Sequence, residues 1–186
     1  MRYSGDSNLK GVGLEMGGKS PFIVLEDAVL DDDLIEHAAM SAFWNGGQNC
    51  SANMRQLIAA PLVDDFTGRI MARVKAFKLG DPLDPATDIG SMITKDHKEM
   101  VMDYIQSGVD EGAGMLMGGD SDVPGYFINP TIFENITPEM KIAREEIFGP
   151  VLGIMPVKNA EEALRIASDT DYGLHATVFT QNIDKA

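Results

Sequence analysis

Apolar segments rich in β-branched residues alternate along this chain with longer amphipathic segments, and that alternation constrains the fold most. The predicted strands are residues 20–28 (SPFIVLEDA), 55–63 (RQLIAAPLV), 151–157 (VLGIMPV) and 175–180 (HATVFT). The predicted helices are residues 30–45, 63–80, 94–113, 137–146 and 159–170. Strands that alternate with helices require right-handed crossovers between parallel strands. The sequence therefore predicts an α/β fold, with a mainly parallel sheet covered by helices on both faces.

The remaining segments carry weaker signals. Residues 115–125 (MLMGGDSDVPG) are predicted to form a short apolar piece followed by a turn, and residues 126–136 an extended segment. No repeat, low-complexity segment or linker interrupts the chain, so we expect one domain. The last residues, TQNIDKA, resemble the start of another element, and strand-forming sequence begins close to the other end. We therefore expect the chain to be a piece of a longer protein.

Charge and cysteine content exclude several classes of protein. The net charge is −14, which repels phosphate backbones and makes nucleic acid a poor partner. No run of about 18 apolar residues is present, so no membrane partner is expected. The N-terminus lacks the apolar region of a secretory signal, and a cytoplasmic setting is expected. Cys50 is the single cysteine and the three histidines are scattered, so neither a disulfide framework nor a metal site is predicted.

The stretch GVGLEMGGKS contains, from residue 13 to residue 20, the G-x-x-x-x-G-K-S pattern of a phosphate-binding loop. Such a loop follows a strand and precedes a helix. Here an apolar strand, PFIVL, follows the pattern, and the carboxylate of Glu15 would repel phosphate oxygens. The nucleotide-triphosphate interpretation is therefore rejected. Taken alone, the stretch is best interpreted as a Gly17–Gly18 turn with Glu15 at the surface.

Other residues also have plain interpretations when each is taken alone. A lone cysteine such as Cys50 is most often a small buried hydrophobe. Glu145 and Glu146 would form an exposed acidic pair at a helix end. Phe148 would belong to the hydrophobic core.

Three stretches taken in series change these interpretations. They are LEMGGKSP with Glu15, GGQNC with Cys50, and EEIFGPV with Glu146 and Phe148. This set resembles the hallmark segments of the aldehyde dehydrogenase superfamily, LE-x-GGKSP, GQ-x-C and EEIFGPV. The resemblance covers nearly the whole chain in the same order, and it includes the lesser markers LGDPLDPATDIG, GYFINPTIF and YGLHATVFT.

The resemblance implies a reaction and a role for each residue. The reaction is oxidation of an aldehyde to a carboxylic acid with hydride transfer to NAD(P)+, through a thiohemiacetal and a thioester on Cys50. A cysteine suits these steps because its thiolate is a strong nucleophile and leaves well. By the same resemblance Glu15 is the general base for hydrolysis, Glu146 binds the nicotinamide ribose, and Phe148 packs against the nicotinamide ring. His97 lies on a predicted helix that can contact the adenosine ribose in the family; the alternative is an ordinary exposed histidine.

The resemblance also predicts what lies outside the chain. Residues 1–186 correspond to the thiol-bearing catalytic domain, incomplete at its C-terminus, without the dinucleotide-binding and oligomerisation domains. We therefore expect the isolated chain to be inactive, and the full-length parent to act on a small-molecule aldehyde with NAD or NADP as a homo-oligomer.

Two alternatives remain at this point. One is a truncated, non-catalytic module. The other is an acylating, coenzyme A-dependent aldehyde dehydrogenase or a related acyl phosphate reductase, against which Glu15 argues.

Overall fold

The computed structural model describes residues 1–186, with six strands joined in one sheet. The strands are β1 Pro21–Val24, β2 Arg55–Ala59, β3 Gly114–Asp120, β4 Ile128–Glu134, β5 Val151–Val157 and β6 Thr177–Phe179. The α-helices are α1 Arg2–Gly5, α2 Asp32–Phe43, α3 Val63–Lys75, α4 Lys95–Asp110, α5 Lys141–Arg144 and α6 Ala160–Ser168. Short 3₁₀ helices cover Trp44–Gly47, Ala60–Leu62 and Ile183–Lys185. No helix is both long and apolar enough to traverse a lipid bilayer.

The strand order is β3-β4-β5-β2-β1-β6, and every neighbouring pair except one is parallel. The exception is the antiparallel pair β3–β4, so the predicted mainly parallel sheet is confirmed. The sequence signal missed β3 as a strand, because this glycine-rich segment lacks the β-branched residues that mark strands. β3 is a strand through its pairing with β4, and the register of that pair shifts twice, once on each side of Met117.

Helices cover both faces of the sheet, as the alternation of β1 demonstrates. Phe22 and Val24 point to the face packed by α2 and α3, whereas Ile23 belongs to the opposite face, packed by α4 and α6. Successive side chains of a strand point to opposite faces, so a strand buried on both sides is apolar throughout. This burial explains why β1 is a continuous apolar run in the sequence.

Side-chain caps fix where three helices begin. Asp31, Thr94 and Asn159 each accept a hydrogen bond from the backbone amide three residues later, at 2.8, 3.1 and 2.9 Å. The helix predicted over 137–146 is reduced to the four residues of α5. Buried Met140 has an extended backbone, which interrupts helical geometry just before α5.

Two buried polar side chains join distant parts of the sheet. The guanidinium of Arg55 donates to the carbonyl oxygens of Lys19, Ile166 and Ala167 at 3.1, 3.0 and 2.9 Å. Asn53 donates to the carbonyl of Pro21 at 3.0 Å and accepts from the hydroxyl of Thr177 at 3.2 Å. The first group ties the start of β1 to the end of α6, and the second ties β1 to β6. Both groups lie at the amino-terminal edge of the parallel strands.

Candidate active site

The three stretches singled out in the sequence meet at one edge of the sheet. Residues 14–20 lead into β1, residues 46–54 lead into β2, and residues 145–150 lead into β5. These three strands are parallel neighbours in the order β5-β2-β1. Segments that precede adjacent parallel strands emerge at the same edge, so the topology brings the three stretches together.

A left-handed turn directs Cys50 away from α2. Asn45, Gly46 and Gly47 have φ angles of 54°, 63° and 71°. Asparagine and glycine are the residues that adopt this conformation most readily, because most other side chains clash with the backbone there. Gly47 meets a second restriction, since a methyl group on its Cα would overlap the carbonyl oxygen of Gly149. The double glycine therefore gives the turn both its direction and its close contact with residues 145–150.

The side chain of Gln48 anchors the same turn. Its amide oxygen accepts a hydrogen bond from the backbone amide of Ile93 at 2.9 Å, and its amide nitrogen donates to the carbonyl of Asn45 at 3.1 Å. The turn is thus tied to the segment that leads into α4. Sequence reasoning noted Gln48 only as part of the GGQNC stretch and did not predict this role.

Cys50 is a free, half-buried thiol at the end of the turn. Its Sγ lies 3.9 Å from Oδ1 of Asn49, which also accepts from the backbone amide and the hydroxyl of Ser51 at 3.2 and 3.1 Å. The backbone N–H of Cys50 donates to no protein acceptor. An unpaired backbone donor beside a thiol can stabilise an oxyanion that forms on a carbonyl attacked by that thiol.

Gly17 and Gly18 separate Cys50 from Glu146. The amide of Gly18 donates to Oε1 of Glu146 at 3.1 Å. A methyl group on Gly18 would overlap the carbonyl oxygen of Cys50, and one on Gly17 would overlap Oε2 of Glu146. Only glycine leaves room for these two close approaches. The first stretch therefore contacts both of the others through its backbone.

Glu15 lies on the exposed segment just before this double glycine. Its carboxylate forms no hydrogen bond and no ion pair within the chain. It is therefore accessible to water, and its role as a general base stays a prediction.

The adjacent carboxylates of Glu145 and Glu146 have different partners. Glu145 accepts a hydrogen bond from the hydroxyl of Tyr104 at 2.7 Å. Burial of the phenol, and then this bond, raise the pKa of Tyr104 to about 12. Glu146 is half-buried, and its backbone amide lies 3.4 Å from the hydroxyl of Tyr172. Sequence reasoning identified neither tyrosine, because no local pattern indicates a partner so far along the chain.

Phe148 is not a core residue. Its side chain is 38% exposed and its backbone is left-handed, with φ 56°. The ring of His97 packs edge-on against it with the ring centroids 6.3 Å apart, and Nε2 of His97 lies 2.7 Å from the Phe148 carbonyl oxygen. Phe148 thus presents an apolar face to solvent, two residues after Glu146 in the chain.

Lys19 is buried behind the double glycine, with 4% of its surface exposed and no hydrogen-bond partner for its amine. Burial lowers the pKa of Lys19 to about 7, with a further contribution from Arg55, while Glu146 and Glu145 oppose the shift. The rejection of a phosphate loop agrees with this burial, because the chain runs from Ser20 directly into β1.

Comparison with known proteins identifies aldehyde dehydrogenases as relatives of this chain in both sequence and structure. The family model described as "Aldehyde dehydrogenase family" matches residues 1–186. Aldehyde dehydrogenase 1A1 of Gallus gallus is 46% identical over 184 residues, which is 98% of this chain and 36% of that protein. Aldehyde dehydrogenase, cytosolic 2 of Macroscelides proboscideus is 46% identical over 180 residues, covering 96% of this chain and 75% of that protein. The crystal structure of an NAD-dependent aldehyde dehydrogenase from Sinorhizobium meliloti superposes with a TM-score of 0.90 at 40% identity, over 94% of this chain and 35% of that one.

Proposed function

This chain belongs to the aldehyde dehydrogenase family, and from that premise we propose that it is the thiol-bearing catalytic part of an aldehyde-oxidising enzyme. The enzyme converts a small aldehyde to a carboxylic acid with NAD+ or NADP+. The contact of Gly17 and Gly18 with both Cys50 and Glu146 is the observation that carries the proposal. Because the chain spans only 36% of the Gallus gallus relative, we assign the complete activity to a longer protein and no aldehyde oxidation to the isolated chain.

The first step is attack by the thiolate of Cys50 on the carbonyl carbon of the aldehyde. A carbon–sulfur bond forms, and the carbonyl oxygen becomes an alkoxide. A thiolate performs this attack well because it is strongly nucleophilic at moderate pH. The unpaired N–H of Cys50 supplies one hydrogen-bond donor to the developing oxyanion.

The residues present fit a nicotinamide ribose next to this thiol. One oxygen of Glu146 accepts from Gly18, and Oε2 has no protein partner, so it can accept a hydrogen bond from a ribose hydroxyl. Phe148 offers an exposed aromatic ring against which a nicotinamide can pack. When bound, NAD(P)+ supplies the hydride acceptor of the reaction. Loss of hydride from the tetrahedral adduct leaves a thioester on Cys50.

Hydrolysis of the thioester completes the reaction. Glu15 takes a proton from water while the water oxygen attacks the acyl carbon, and the carbon–sulfur bond breaks to release the acid and the thiolate of Cys50. What supports this role is the position of Glu15, two residues before Gly17 on the stretch whose Gly18 contacts Cys50. The acylating alternatives transfer the acyl group to coenzyme A or phosphate instead, and they require no such base.

A cofactor-free assay tests the nucleophile in this chain. p-Nitrophenyl acetate carries an activated acyl group, so we expect a transient acetyl group at Cys50, trapped by rapid acid quenching and located by mass spectrometry of the peptides. Cys50→Ala abolishes the modification if the proposal holds. Acetylation at another residue, or none with the wild-type chain, contradicts the proposal and supports the non-catalytic module.

A second assay tests the oxidation itself. We expect no reduced nicotinamide from the isolated chain with acetaldehyde and NAD+ or NADP+. A hybrid is then made in which residues 1–186 of this chain replace the matching segment of the Sinorhizobium meliloti enzyme. The two are 40% identical. The hybrid should oxidise acetaldehyde without added coenzyme A or phosphate and lose this activity with Cys50→Ser. A strict requirement for coenzyme A or phosphate would support the acylating alternative instead.

A further inference from the structure

We propose that His97 is a positioning residue, which holds Phe148 in its left-handed conformation and so fixes the direction of the Phe148 ring. Phe148 is one of four non-glycine residues with positive φ, at 56°. A side chain larger than hydrogen makes this conformation unfavourable, and it persists only where neighbouring groups stabilise it. His97 contacts both the backbone and the ring of Phe148.

The hydrogen bond has one direction. The carbonyl oxygen of Phe148 can only accept, so Nε2 of His97 at 2.7 Å carries the hydrogen and donates. The edge-on contact between the two rings, at an interplanar angle of 72°, adds a second restraint. One histidine thus holds the carbonyl and the aromatic ring of the same residue.

The backbone of His97 is itself held at a capped helix end. Thr94 caps α4 by accepting from the backbone amide of His97 at 3.1 Å. One turn later Val101 is fully buried, and a methyl group added to Gly149 would lie 2.6 Å from its side chain. Gly149 in turn abuts Gly47 of the turn that leads to Cys50. His97 therefore acts from a rigid element and not from a mobile loop.

The consequence for catalysis rests on the proposed function, in which the Phe148 ring packs against nicotinamide. Without His97 the Phe148 backbone can relax to an ordinary conformation, and the ring then leaves its place beside Glu146. A test without nicotinamide separates the positioning role from cofactor binding.

The test compares His97→Gln with His97→Leu in the 186-residue chain. Both variants lack the imidazole ring and have similar size, but glutamine keeps a donor on Nε2 and leucine has none. Limited digestion with chymotrypsin reports the fraction of time that the Phe148 segment is open. We expect cleavage after Phe148 to be about five- to tenfold faster in His97→Leu than in wild type, because one hydrogen bond is lost. In His97→Gln the cleavage rate should stay close to that of wild type.

Trp44 and Tyr126, which are 59% and 43% exposed, are chymotryptic sites in the same digest and serve as internal controls. Their cleavage should be unchanged in both variants. Equal cleavage after Phe148 in the two variants would overturn the proposal, as would a uniform increase at all three sites, which reports loss of global stability. Failure of nicotinamide binding would refute the proposed function but leave the digestion result intact.

Discussion

The carboxylate of Glu146 accepts a hydrogen bond from the backbone amide of Gly18 at 3.1 Å, although the two residues are 128 positions apart. A backbone donor has a direction fixed by the chain and adds no side-chain freedom. Charge-assisted bonds of this kind are stronger than neutral ones. The position of Glu146 relative to Cys50 is therefore defined by the path of the Gly17–Gly18 backbone, which contacts both.

Gly18→Ala should destabilise the protein. The new methyl group would overlap the carbonyl oxygen of Cys50, which is backbone and cannot rotate away. We expect a loss of about 1–3 kcal/mol in the free energy of unfolding, measured by urea denaturation. Gly13→Ala is the control, because no atom lies within 4 Å of its added methyl group. Equal stability of the two variants would show that the segment before β1 can shift to relieve the overlap.

Lys19 should make stability depend on pH above neutrality. In the folded chain the amine of Lys19 loses its proton as the pH rises through its pKa of about 7. In the unfolded chain it keeps the proton up to its ordinary pKa of 10.5. The unfolded state therefore binds more protons in this window, and the free energy of unfolding rises with pH by up to about 1.4 kcal/mol per pH unit.

The comparison is between Lys19→Met and Lys75→Met, by urea denaturation at pH values across this window. Lys75 is an exposed lysine at the end of α3. The first substitution should remove the Lys19 contribution to the slope and the second should keep it. A slope unaffected by Lys19→Met would mean that the amine finds a partner in solution.

The phenol of Tyr104 should lose its proton only at high pH, because its pKa is raised. Its burial and its bond to Glu145 raise the pKa to about 12, so the phenol stays protonated above its ordinary pKa of 10.0. The stabilising contribution is present below pH 10.0 and is lost as the pH rises through about 12. Phenolate absorbance should reveal a late phase that disappears in Tyr104→Phe and persists in Tyr3→Phe. Persistence of that phase in Tyr104→Phe would assign it to another of the four tyrosines.

Glu15→Gln should separate acylation of Cys50 from hydrolysis of the thioester. If Glu15 is the general base, acetyl transfer from p-nitrophenyl acetate continues. Loss of the acetyl group slows by about a hundredfold or more, which is the contribution of a general base. The acetylated chain then accumulates, which mass spectrometry measures directly. Glu161→Gln, at an exposed position in α6, is the matched control. Unchanged hydrolysis in Glu15→Gln would remove Glu15 from the mechanism.

The central architecture follows from the sequence because burial on both faces leaves a clear pattern. The apolar run of β1 and the capped, amphipathic α2 were both predicted from residues a few positions apart. β3 was missed because its pairing partner, and not its own composition, makes it a strand. The shortened α5 was missed because Met140, just before it, has an extended backbone that no local sequence pattern indicates.

The residues of the candidate site also differ in how well the sequence predicts them. Cys50, Glu146 and Phe148 could be singled out because each lies in a distinctive stretch. The bonds of Gln48 to Ile93 and of His97 to Phe148 could not be, because they depend on how α4 approaches the loops before β2 and β5. The left-handed backbone of Phe148 is likewise imposed by its surroundings, since phenylalanine alone disfavours it.

The link between Asn53 and Thr177, 124 residues apart, has a consequence for biosynthesis. Contacts between distant parts of a chain form late, because closing a long loop costs entropy before any contact compensates for it. A ribosome-bound chain thus emerges with its lone thiol on an unfinished sheet and waits for more than a hundred further residues. Until β6 has been made, Cys50 therefore lies beside a sheet that lacks its last parallel pair, β1–β6.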